Sequence, residues 1–157
     1  MFSIVIPTFN NLNYLKLCLE SLKKNSSYNH QIIIFVNEGN DGTLQYVKDN
    51  NLEYFHSTSN VGLCKAVNQA SKAAKKKYLI YAHDDMYFCP GWDTEFNNEI
   101  LKHNNNSDFF LSGTMVQYFN GLIDLDCGKN PETFNEQRLL KELPKLKYDN
   151  FQGTTWA

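Results

Sequence analysis

Gln31–Val36, QIIIFV, puts three isoleucines, a phenylalanine and a valine in an unbroken row. A strand with one wet face alternates apolar and polar residues. A continuous β-branched run suits a strand covered on both faces, and that condition is met mainly inside parallel sheets flanked by helices. The neighbouring sequence supplies the helices. Leu12, Leu15, Leu19 and Leu22 recur at helical spacing, with Asn10 or Asn11 placed to cap the segment. A short helix is expected through Leu44 and Val47, after the turn cluster NEGNDGT. Leu63, Ala66, Val67, Ala70 and Ala74 mark another helix after SNVG.

Further strands complete the alternation. Phe2–Ile6 reads as a first strand halted by Pro7, EYFHS (residues 53–57) as a third, and KYLIYA (residues 77–82) as a fourth. The first half therefore runs strand, helix, strand, helix, strand, helix, strand. That order predicts an α/β fold: a mostly parallel sheet with helices on both faces, Rossmann-like in plan. Beyond it, Trp92–Leu101 reads as a helix, DFFLSGTMVQYF and GLIDLDC as strands, and Glu132–Leu143 as a helix closed by Pro144. With 157 residues and no internal repeat or linker, a single domain spanning 1–157 is expected.

Composition narrows the partners. A formal net charge of −2 gives no reason to expect nucleic acid. The Lys75, Lys76 and Lys77 run suits the carbonyl end of a helix. Four dispersed cysteines, Cys18, Cys64, Cys89 and Cys127, show no zinc-ligand spacing and fit reduced thiols of a cytoplasmic protein. No apolar stretch is long enough for a transmembrane segment.

Ligands of parallel sheets bind outside the carboxyl ends of the strands. Three polar clusters fall there: PTFNN, NEGNDGT and HDDM. In the last, Asp84 and Asp85 adjoin, and adjacent carboxylates raise each other's pKa unless a cation or donors compensate. In an extended segment His83 and Asp85 face one way and Asp84 the other. A hard divalent cation, held by one or two carboxylates and substrate phosphates, would neutralise them. The plainer alternative is a solvated turn in which one of the acids caps the helix near Trp92. GxGxxG, GxxxxGK[ST] and GxSxG are all missing, which weighs against a dinucleotide oxidoreductase, a P-loop NTPase and a serine hydrolase.

SIVIPTFNN, IIIFVNEGNDGT, SNVGLCKAVNQA and YLIYAHDDMYFCPGW resemble, in order and spacing, the motifs of family 2-type glycosyltransferases with the GT-A fold. The resemblance covers residues 2–92 closely and the remainder more loosely. It implies that Pro7, Thr8 and Phe9 lie along the donor's base, that Glu38 meets the nucleoside, and that Asn60 and Asn68 line the donor site. HDD stands at the family's DxD motif. Asp85 matches the metal ligand for Mg2+ or Mn2+, Asp84 a donor contact, and His83 the position usually held by an acid that meets the ribose or a metal-bound water. The implied reaction moves a sugar from a nucleotide-sugar donor, a UDP- or GDP-sugar, to a hydroxyl of a saccharide or lipid-linked acceptor with inversion, in the cytoplasm or at the cytoplasmic face of a membrane.

Inverting members use an Asp or Glu base well after the DxD loop. NFQGTTWA resembles the start of the acceptor side, so the base is expected outside this chain or replaced by Asp124, Asp126 or Asp149, each of which more simply caps a turn or faces solvent. A truncated or degenerate homologue that binds a donor without catalysis is the alternative. A nucleotidyltransferase would show a glycine-rich basic loop after its first strand, and PTFNN is neither.

Overall fold

The computed structural model describes residues 1–103, 109–117 and 123–146. The chain divides into two compact units, Met1–Phe109 and Phe110–Ala157.

The first unit is a four-stranded parallel sheet, β1 (Phe2–Phe9), β2 (Gln31–Asn37), β3 (Glu53–Ser57) and β4 (Tyr78–Tyr81), in spatial order β3-β2-β1-β4. Between strands run α1 (Leu12–Asn25), α2 (Thr43–Asp49) and α3 (Leu63–Ala70), the last extended by a 3-10 turn over Ser71–Ala73, and α4 (Trp92–Lys102) follows β4. The α/β expectation holds. The chain steps outward from β1 to β3, then returns across the sheet to β4 on the other side of β1. With right-handed crossovers, that reversal puts α1 and α2 on one face and α3 on the other.

QIIIFV is buried on both faces for this reason. Val5, Ile33 and Phe35 pack against Ala66 and Ala70 of α3. Ile4, Ile6, Ile34 and Val36 alternate to the opposite face and are wholly buried. There α1 contributes buried Leu15, Cys18, Leu19 and Leu22. Each such side chain contributes about 1.5–3 kcal/mol through burial.

Pro7 does not halt β1, which continues to Phe9 and keeps register with β2 (Pro7 opposite Phe35). The Ala82 amide donates to the Val5 carbonyl at 3.0 Å, so the polar groups of alternate residues 5 and 7 point towards β4. β4 has ended by Tyr81, opposite Val5. The missing N–H of Pro7 thus falls where a ladder partner is no longer required. The cleft between β1 and β4 opens at this residue.

Other boundaries differ in instructive ways. Neither Asn10 nor Asn11 caps α1 through its side chain. The Leu12 amide instead donates to Asp41 Oδ2 at 2.8 Å, a cap supplied by the next loop. Lys75–Lys77 lie beyond α3 and its 3-10 turn, in the connection to β4, and Lys75 pairs with Glu53.

In the second unit the two expected strands reduce, among the described residues, to one parallel bridge between Val116 and Ile123. The expected terminal helix is broken into a 3-10 turn (Pro131–Thr133), α5 (Glu136–Glu142) and a 3-10 turn (Leu143–Lys145). Asn130 caps the first and Asn135 caps α5, so Asn135 starts a new helix inside the span that the periodicity had joined. Pro144 lies within the last turn and does not close α5.

Candidate functional site

Strand order reverses between β1 and β4, and the carboxyl ends of these two strands border a crevice where ligands of open α/β sheets bind. The PTFNN and HDDM loops meet there. Asp84 is half-buried, whereas His83 and Asp85 are exposed. Desolvation pushes the Asp84 carboxyl above the usual carboxylate range. Thr8 and Asn11 pull it down and neighbouring Asp85 pushes it further up. Thr8 is buried, and its hydroxyl faces Asp84 without completing a hydrogen bond of ordinary geometry. The site thus holds a desolvated carboxylate, a second carboxylate beside it, and a buried hydroxyl left over.

That donor set fits a hard divalent cation. Asp85 offers an exposed carboxylate next to one whose charge is under-compensated, which suits a cation whose remaining ligands are water and substrate phosphates. The protein does not form a closed cage: among the described residues no three His, Cys, Asp or Glu side chains converge on one point. Neither acid serves the plainer role of capping α4, which is preceded by Gly91 with no side-chain cap.

His83 pairs with the strand behind it. Its Nε2 lies 2.8 Å from the Tyr81 hydroxyl, and the rings are 4.9 Å apart. The loop after the acids is pinned to α1: the Phe88 amide donates to Ser21 Oγ at 2.9 Å, and Asn25 Nδ2 to the Phe88 carbonyl at 2.7 Å. Trp92 packs on Phe88 and Phe2, in keeping with a role in packing.

Glu38 follows β2 on the other flank of β1. It adopts a left-handed backbone (φ 60°), as does Asn10 (φ 48°). Non-glycine residues rarely sit there, and such strain concentrates at functional sites. Asn10 Oδ1 accepts from the amides of Gly39 (3.0 Å) and Asn40 (2.9 Å), while its Nδ2 donates to Glu38 Oε2 (3.3 Å). His56 Nε2 donates to the Glu38 carbonyl at 3.0 Å. Asp41 returns the clasp through Leu12 and also accepts from the Thr43 amide and hydroxyl. Burial raises its pKa, but these hydrogen bonds outweigh it and hold Asp41 below the usual range.

The structure therefore brings Thr8 and Asp84 together, with Asp85 and His83 beside them, and holds Glu38 against Asn10. Phe9 is 47% exposed at the end of β1. Asn60 is engaged locally, its Oδ1 accepting from the Gly62 amide at 2.9 Å, and Asn68 is exposed on α3. Reading the sequence missed Asn10, Asn11, Asp41 and His56. The signal for the first two was present: two amides directly after a strand at the sheet's carboxyl edge. One reaches the β2 loop and the other Asp84.

The sequence matches the family model for "Glycosyl transferase family 2" over residues 3–153. It is 32% identical over 148 residues to a dolichyl N-acetyl-alpha-D-glucosaminyl phosphate 3-beta-D-2,3-diacetamido-2,3-dideoxy-beta-D-glucuronosyltransferase of Methanococcus voltae, covering 92% of this chain and 36% of that protein. An uncharacterized glycosyltransferase of Rickettsia bellii is 30% identical over 121 residues, covering 72% of this chain and 17% of that one. Among solved structures, S. aureus TarS 1-349 in complex with UDP superposes with a TM-score of 0.59 at 25% identity, covering 66% of this chain and 32% of that one. The mannosyltransferase PcManGT from Pyrobaculum calidifontis, in complex with GDP-Man and Mn2+, shares the fold at a TM-score of 0.54 and 19% identity, over 61% of this chain and 30% of that one. The chain spans less than half the length of each of these proteins. The family match and the shared fold agree, and the chain belongs to glycosyl transferase family 2, with the GT-A type of fold.

Proposed function

We propose that residues 1–157 form a single GT-A-like donor-binding domain of a glycosyltransferase that moves a sugar from a UDP- or GDP-sugar to an acceptor hydroxyl with inversion. The observation that carries this reading is the desolvated Asp84 carboxylate at the strand-order reversal, facing Thr8 and Asn11, with Asp85 exposed beside it. Family membership and the likeness to a UDP complex support the donor class.

In this reading Pro7, Thr8 and Phe9 form the floor along the base, and Glu38 meets the nucleoside. Asn60 and Asn68 line the α3 side, and His83 and Asp84 contact the donor. Asp85 holds Mg2+ or Mn2+, which supplies charge neutralisation for the departing nucleoside diphosphate. The acceptor oxygen attacks the anomeric carbon as the bond to the diphosphate breaks, and its proton passes to a base. The described residues contribute orientation and electrostatics: Asp84 is already partly desolvated, so a donor entering the crevice finds a preorganised field. Saccharide and lipid-linked acceptors both fit this chemistry. The four cysteines form no disulfide with one another, in keeping with a cytoplasmic setting, in solution or at a membrane face. Among the described residues no helix is long and apolar enough to cross a membrane.

A second reading, donor binding without turnover, is favoured by one observation. Asp126, a candidate base, is engaged in a turn, accepting from the Gly128 amide at 3.0 Å. Asp149 lies outside the described residues. Incubating the chain with UDP- and GDP-sugars, Mn2+ and a panel of saccharide and lipid-linked acceptors, and following release of nucleoside diphosphate, separates the two. Release that Asp84→Asn reduces at least tenfold supports the enzyme. Tight donor binding with no release above the protein-free rate supports the binder, and no binding by any donor refutes both.

A further inference from the structure

We infer that Asn10 is a positioning residue for nucleotide selection: it holds Glu38 in the left-handed conformation that presents this carboxylate at the rim of the sheet. The inference rests on the donor-binding reading above. It begins with a backbone cost. Both Asn10 and Glu38 have positive φ, a region that branched and bulky side chains avoid and that asparagine tolerates better than most. Two such residues, 28 positions apart in sequence, face each other across β1 and β2 and are joined by hydrogen bonds. A loop that needed only to turn would place glycine at both.

The bonding pattern assigns the direction of control. One amide side chain satisfies three partners at once. Its oxygen takes the consecutive amides of Gly39 and Asn40, which fixes the turn that follows Glu38, and its nitrogen takes Glu38 Oε2. Asparagine is the one side chain of this length with an acceptor and a donor in that fork. Aspartate would accept the two amides but repel the carboxylate, and serine has a single, shorter-reaching polar atom in place of the amide's separate acceptor and donor. Asn40 Nδ2 reaches the same Glu38 oxygen at 3.4 Å, the Glu38 amide donates to the Ser57 carbonyl, and His56 holds its carbonyl. Oε2 is thus engaged from within the protein, and in this scheme Oε1 meets a ligand N–H or O–H. Asn10 touches no reacting atom in this scheme and acts through Glu38.

The consequence is a coupling that can be measured. Binding of UDP and GDP with Mn2+ is titrated calorimetrically for the full chain, for Asn10→Gly, Asn10→Asp and Glu38→Ala, and for Asn10→Gly combined with Glu38→Ala. Asn10→Gly accepts the φ of 48° without strain, so its effect reports the lost side chain. Losing one charge-assisted and two ordinary hydrogen bonds from an exposed loop is expected to weaken the preferred nucleotide about tenfold. Asn10→Asp should weaken it at least as much despite keeping both amide bonds. In the Glu38→Ala background, Asn10→Gly should change affinity less than about twofold. The ratio of UDP to GDP affinity should move the same way in Asn10→Gly and Glu38→Ala, whereas simple loosening would lower both nucleotides alike. Multiplicative effects of the two substitutions, or wild-type affinity in Asn10→Gly, overturn the positioning role while leaving the donor reading intact. A wild-type chain that binds neither nucleotide overturns the donor reading itself.

Discussion

Asp93→Ala should be the most costly single substitution at the end of the sheet remote from the crevice, and its size follows from the bonds removed. Asp93 sits in the first turn of α4, its side chain 0% exposed, against a His30 side chain that is 4% exposed. Its Oδ2 accepts from the Ser27 amide at 2.7 Å, the Tyr28 amide at 2.9 Å and His30 Nε2 at 3.0 Å. Alanine leaves three donors without an acceptor. A buried unsatisfied donor costs about 1–3 kcal/mol. Ser27 and Tyr28 are exposed enough for water to relieve part of that, so the sum should be about 3 kcal/mol. At roughly 3 °C per kcal/mol for a chain of this size, Tm falls by about 10 °C. Asp93→Asn, which keeps an acceptor but not the charge, should cost about half as much. Urea unfolding followed by circular dichroism reads both. A loss below about 1 kcal/mol for Asp93→Ala would show that this junction is not held by the carboxylate.

The same junction sets an acid limit. The Phe2 amide donates to His30 Nδ1 at 3.3 Å while Nε2 donates to Asp93, an arrangement that needs the neutral ring. Burial is the main cause of a His30 pKa below 6.5, outweighing the hydrogen bond to Asp93, which raises it. The unfolded chain therefore binds the proton more readily, and stability, full above about pH 6.5, declines as pH falls below it. The Asp93 carboxyl adds to the decline at lower pH: burial raises its pKa, but the Tyr28 and Ser27 amides and His30 bring it below 3.8.

Asp84 has the opposite sign. Its pKa is raised, chiefly by desolvation, so its charged form opposes folding once pH rises above about 3.8. Asp84→Asn should raise Tm near pH 7, lose that advantage near pH 3, and weaken nucleotide binding; a lower Tm at neutral pH would contradict the assignment. Gly39→Ala should cost roughly 1–3 kcal/mol in urea unfolding, because φ is 78° and a Cβ would lie 2.7 Å from Val36 Cγ1. Asp41→Ala removes the cap on the Leu12 amide and both bonds from Thr43, and should cost about 1–2 kcal/mol, seen as lowered protection of the first turn of α1 in hydrogen exchange.

The parallel sheet was legible because QIIIFV and the 3.6-residue spacing of Leu15, Leu19 and Leu22 report burial directly. The carboxyl-edge site was legible because parallel topology fixes where loops converge. Pro7 was misjudged: its tolerance depends on where β4 ends, a non-local fact. The clasp among Asn10, Glu38 and Asp41 was invisible for the same reason, since its bonds join residues about 28 positions apart. The helix expected over Glu132–Leu143 failed where local chemistry overrode periodicity, at the capping asparagine Asn135. Among the described residues the strands expected after residue 108 come down to one bridge, because a strand exists only through its ladder and no periodicity names the partner.

Calorimetric titration of UDP and GDP into the wild-type chain and Asp85→Ala, with and without Mn2+, tests the central assignment most directly. The account predicts binding of at least one nucleotide that strengthens with Mn2+, and loss of that strengthening in Asp85→Ala. Equal metal-dependent binding by both proteins would contradict it.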